Sequence, residues 1–172
     1  MNFNHSLRLL TALLFVAAVF SGCKVSYSFT GASPMIGVKT FTVYYFPNRA
    51  QLVNPNLSQQ LTDALQEKMV RQTSFNQITD NGDLEFSGQI TGYDVKPVNI
   101  SQGDLAAQNR LTISIKVKYV NNKDHDKDWE KSFSEYDDFD STKSLNDVED
   151  SLVPGIIKKL TDDIFNASIA DW

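Results

Sequence analysis

The sequence predicts an α+β domain: an antiparallel or mixed sheet of about four to five strands, covered on one face by two helices. Three observations carry this expectation. Several segments alternate apolar and polar residues with a period of two, as half-buried strands do. Two other segments repeat apolar residues at helical spacing. The strand-like stretches between residues 83 and 136 follow one another with no helix between them, which argues for antiparallel neighbours. The predicted order is β-β-α-β-β-β-α.

Residues 25–29 open the order, with Val25, Tyr27 and Phe29 on one face and Ser26 and Ser28 on the other. "TGASPMIG" is a turn-rich break, and "KTFTVYYF" alternates again, placing Phe41, Val43 and Tyr45 on one side. Asn54-Pro55 reads as a helix start, with Asn as cap and Pro at the first helical position. The helix runs to about residue 72 on a stripe of Leu57, Leu61, Leu65 and Met69, with Ala64 beside it. Residues 83–95 form a long strand. Leu84, Phe86 and Ile90 share one face; after Gly92 the apolar parity moves to Tyr93 and Val95, which predicts a bulge. "RLTISIKVKYV", residues 110–120, alternates most cleanly, with Leu111, Ile113, Ile115, Val117 and Tyr119 inward. A polar turn, "NNKDHDKD", and a returning strand, "WEKSFSEY", complete a hairpin over 110–136. Ser144, with Asp147 three residues on, caps the second helix. Its stripe is Leu145, Val148, Leu152, Ile156, Leu160 and Ile164, and Pro154-Gly155 predicts a kink or restart within it. Leu61, Leu65, Ile113, Ile115 and Leu160 are expected in the core. The loop 96–109 is the one long connection.

The start of the chain has a separate logic. A polar segment whose only charged side chain is Arg8 precedes the uncharged apolar run 9–20. As a helix that run reaches about 18 Å, too short for a bilayer core of about 30 Å. A short apolar run behind a basic start and before small residues is a secretory signal. The small residues are Ser21 and Gly22, and Cys23, the single cysteine of the chain, follows. That order is similar to the lipobox of bacterial lipoproteins. Cys23 is therefore expected to be acylated and to become the mature N-terminus after loss of residues 1–22. Lys24, rather than Asp, follows it, which points to the outer membrane.

Residues 23–172 are one domain's worth of chain. Cleavage removes one base and no acid, so the net charge moves from −5 to −6, and an acidic chain of this kind makes nucleic acid a poor partner. No second apolar run approaches membrane-spanning length.

The chemistry-bearing residues are few. His5 leaves with the signal, so His125 is the one histidine of the mature chain. With Cys23 acylated, no thiol nucleophile remains, and there is no glycine-rich phosphate loop. The expectation is a non-enzyme with no cofactor. Asp124, Asp126, Asp128 and Glu135 match the spacing of an EF-hand calcium loop. Trp129 stands where that loop needs glycine, and 129–135 reads as a strand, so no metal site is expected. Lys116 and Lys118 lie on the outward face of the cleanest strand. They suit an anionic head group such as a phosphorylated sugar, and equally a cross-strand pairing with Glu130.

"YSFTGAS", "FTVYYFPNRAQLVNPNLSQQLTDALQEKM", "LEFSGQITGYDVKPV", "LTISIKVKY" and "SLVPGIIKKLTDDIFNASIADW" together resemble the LptE-type lipopolysaccharide-assembly lipoproteins of the Bacteroidetes lineage, over nearly all of residues 23–172. The resemblance implies a single LptE-like domain anchored at Cys23 on the periplasmic side of the outer membrane. It implies a protein that plugs and helps assemble the β-barrel lipopolysaccharide translocon, an LptD-like partner, and that contacts lipopolysaccharide. Lys116 and Lys118 are the candidate contacts. The alternative reading is a CsgG- or LpoB-like outer-membrane lipoprotein, acting in secretion or activating a peptidoglycan synthase. Such domains alternate helices and strands, whereas 83–136 is consecutive strands.

Overall fold

A meander of three long strands organises the molecule, a computed structural model of which describes residues 35–52, 54–98 and 108–170. The elements are β1 (Thr40–Val43), α1 (Leu57–Gln72), β2 (Asn76–Gln77), β3 (Leu84–Val98), β4 (Gln108–Asn121), a 3₁₀ turn at His125–Lys127, β5 (Trp129–Asp140) and α2 (Leu145–Phe165), which ends in a π turn. They build a five-stranded mixed sheet in the order β2-β1-β3-β4-β5. β1 is parallel to both neighbours, and β3, β4 and β5 are antiparallel. The fold is α+β, as expected. The predicted strand 25–29 and Cys23 lie outside the described residues. β2 was not anticipated: two exposed polar residues carry no alternation to read.

The alternation in β4 translates directly into packing. Leu111, Ile113, Ile115, Val117 and Tyr119 are all fully buried, beneath Leu57, Leu61, Leu65 and Met69 of α1 and Ile156, Leu160 and Ile164 of α2. The two helices run side by side in the same direction. Asn54, just before α1, donates to Glu149 near the start of α2 at 2.8 Å, and Lys68 near the end of α1 pairs with Asp162 near the end of α2 at 2.5 Å. The expected bulge falls between Ile90 and Gly92. It keeps Tyr93 on the buried face after the parity change, since one extra residue in the strand resets which side the next one faces.

Four details differ from the sequence expectations. β1 stops at Val43, so Tyr45 does not share its face; Tyr45 is 57% exposed, and Phe46 is buried instead. Phe46 enters beside Gly88, where a Cβ would stand 2.7 Å from its ring and 2.1 Å from the Lys116 carbonyl. Asn54 does not cap α1, which begins at Leu57. Its Oδ1 accepts from the Asn56 N–H at 2.8 Å, closing the turn that leads into the helix. α2 continues through Pro154-Gly155 without a restart. The missing proline donor removes one helical bond, to Asp150, while Val153, Ile156 and Ile157 on either side are buried and hold the helix on the sheet. Finally, β3 and β4 extend into the expected loop 96–109, as far as Val98 and from Gln108.

Candidate functional site: the bare face of the sheet

With both helices on one face, the opposite face of β3-β4-β5 carries the polar half of each alternation. Its lower part, toward the β4–β5 turn, holds Lys116 and Lys118, both exposed. Lys118 stands directly opposite Glu130 in the register, and Lys116 opposite Ser132. Lys116 forms the ion pair with Glu130 along the diagonal. Hydrogen bonding from Lys116, and the charge of Lys118 after it, hold the Glu130 carboxyl below its usual range. The cross-strand reading is the one observed: Lys116 pairs with Glu130, and Lys118 adds a second cation beside the same carboxylate at the solvent surface.

The middle of the face is hydroxyl-rich, with Ser114 and Ser134 hydrogen-bonded across the strands at 2.9 Å. The upper part carries a cluster that sequence reading missed. Arg110 holds Asp138 with Nε and Nη2, at 2.7 and 2.8 Å, and its guanidinium lies 3.6 Å from the centroid of the Tyr136 ring. The parity of β4 put Arg110 on this face, but only the strand register brings Tyr136 and Asp138 beside it. The bidentate pair and the stacking on Tyr136 orient the guanidinium in a fixed plane at this end of the face.

The turn 122–128 is closed by backbone hydrogen bonds, by the Asn121 side-chain oxygen, which accepts from the Lys123 and Asp124 N–H groups, and by one carboxylate. Asp128 accepts from the Asn121 N–H at 2.7 Å and sits 2.9 Å from His125 Nδ1. Asp124 faces Lys127 at 3.6 Å. Glu135 belongs to β5 and cannot close a twelve-residue calcium loop, because the strand that starts at Trp129 carries it away from the turn. On the helical side, Lys68 and Asp162 line a groove of about 600 Å³ between α1 and α2, with Ala64, Pro154 and Ile157. Lys68 also lies 5.2 Å from the Phe165 ring. Burial pushes the Asp162 carboxyl up, but hydrogen bonds from Lys68 and Lys158 outweigh it and hold the group below its usual range.

Among the described residues, the sheet thus has one face covered by both helices and one polar face that no helix covers. Residues 38–168 match the family model of LptE, described as lipopolysaccharide-assembly; the chain belongs to this family and has a role in lipopolysaccharide assembly. No curated protein matches it. Among solved structures, the hypothetical protein CT253 from Chlamydia trachomatis is similar in fold, with a TM-score of 0.50 at 11% identity, over 73% of this chain and 93% of that one. Rare lipoprotein B from Shewanella oneidensis aligns with a TM-score of 0.48 at 11% identity, over 75% and 92%. A minor lipoprotein from Acinetobacter baumannii aligns with 0.46 at 12%, over 74% and 89%.

Proposed function

We propose that this chain is a lipoprotein anchored by acylated Cys23 to the inner leaflet of the outer membrane. It docks in the lumen of an LptD-like β-barrel translocon, helps that barrel assemble, and assists insertion of lipopolysaccharide in the outer leaflet. It acts by binding and not by turnover. The observation that carries this reading, beside the family, is the asymmetry of the two layers. The bare sheet face offers hydroxyls and charges to its surroundings, which suits the polar interior of a large barrel. The lysine end of that face is the proposed contact for the phosphorylated sugars of lipopolysaccharide. The family assignment weighs against the secretion or peptidoglycan-synthase alternative.

Depletion of the protein in its own cells tests the reading. The expected result is a barrel that is unstable or misassembled, with lipopolysaccharide held short of the surface. Normal surface lipopolysaccharide, with failure of protein secretion or of peptidoglycan synthesis, would overturn it in favour of the alternative.

A further inference from the structure

β5 is the outer strand of the sheet, and its free edge is closed along only part of its length. The backbone groups of alternate residues face that edge. Near the top, the Lys159 ammonium donates to the Tyr136 carbonyl at 2.8 Å, and the Asp138 N–H donates to the Asp137 carboxylate at 3.0 Å. Both observations put the even-numbered residues on the edge side. Below them, no hydrogen bond closes the edge-side backbone groups of Glu130, Ser132 and Ser134 among the described residues, and all three residues are exposed. Unpaired groups of this kind are a template for another strand.

The side chains along this stretch state what such a strand must carry. Lys131, Phe133 and Glu135 share the helix-side face of β5, since their partners Val117, Ile115 and Ile113 point into the core. Phe133 is half-buried between a cation and a carboxylate. Charges turned toward the inner face repel an arbitrary strand, and they admit one whose charges oppose them in register.

We propose that Glu130–Ser134 takes an extended segment of the barrel protein as an added antiparallel strand. That segment carries an acid opposite Lys131, an apolar residue opposite Phe133 and a base opposite Glu135. The inference rests on the docking reading above and names how the docking is made. A second copy of this chain fits less well. It would bring its own α2 to the same face, where helix axes need about 8–10 Å between them and neighbouring strands offer about 4.8 Å. A lone extended segment brings no second layer, and strand addition of this form is a general mode of peptide recognition.

The test uses the full lipoprotein and its barrel, isolated together in detergent from the outer membrane. Ser132→Pro removes an edge-side donor and no bond to β4, and proline is tolerated on edge strands. The expected result is about tenfold less barrel recovered with Ser132→Pro, at an unchanged melting temperature, and wild-type recovery with Ser132→Ala. A photo-crosslinking amino acid in place of Ser132, a milder change, should join one extended barrel segment with the stated charge order. Wild-type recovery with Ser132→Pro, a crosslink to a second copy, or no crosslink overturns the inference while the docking reading stands. Wild-type protein that recovers no barrel overturns the docking reading, and this inference with it.

Discussion

Asp83 ties three separate parts of the chain together. Its Oδ2 accepts the N–H groups of Lys39 and Thr40 at 2.8 and 3.0 Å, and its Oδ1 meets Lys123 at 2.8 Å. The Lys123 hydrogen bond, with those backbone donors, brings its pKa down from 3.8 to about 2. A lowered folded-state pKa means stability that is present above about pH 4 and lost as the pH falls toward about 2. Asp83→Asn should therefore lower the melting temperature at neutral pH. It should also remove part of the wild-type decline between about pH 4 and 2. Melting curves that decline in parallel for both proteins across that window would refute the assignment. Nothing in the sequence marked Asp83, because its partners lie about forty residues away on each side. Lys116 and Lys118 were legible, since strand parity alone fixes the face. Tyr93 was legible as core, but not its hydrogen bond to Glu149. That bond, with burial the larger cause, raises the Tyr93 phenol above its ordinary range.

For elements, period decided what could be read. β4 and the stripe of α1 were read residue by residue, because one face of each is buried along its whole length. Leu65→Ala or Ile113→Ala should each cost about 2–5 kcal/mol in denaturant unfolding, since both side chains are fully buried in the common core. Midpoints that do not move would mean that the sheet and helices do not pack through these faces. β1 was overextended because "TVYYF" keeps its apolar character past Val43, while the chain after it follows β3 as an irregular edge. Tyr44 N–H bonds the Phe86 carbonyl at 2.9 Å, and Arg49 N–H the Ile90 carbonyl at 2.9 Å. Local propensity at Pro154-Gly155 predicts a kink or a restart of α2; no restart occurs, because tertiary burial of the residues around it overrides a single missing bond.

For the whole molecule, the division of labour between faces leads to a separable outcome. Lys116→Glu with Lys118→Glu changes only the bare face, so the purified protein should melt within a few degrees of wild type. In the proposed reading, barrel assembly persists while lipopolysaccharide binding weakens by about tenfold or more, measured on the isolated protein at low salt. Undiminished binding would remove these lysines from the contact. The two-layer plan was visible in the sequence; the strand order was not, because no local pattern reports that β1 lies between β2 and β3. This placement has a kinetic consequence. Chains are made from the N-terminus, so β1 is synthesised well before either of its neighbours. It has no ladder to join until Asn76 and Leu84 have followed it. β3, β4 and β5 pair through near neighbours in the chain and can close early. An interior position of the sheet, between β2 and β3, is thus filled late by the first-made of the described strands, and until then Phe41 and Val43 wait uncovered.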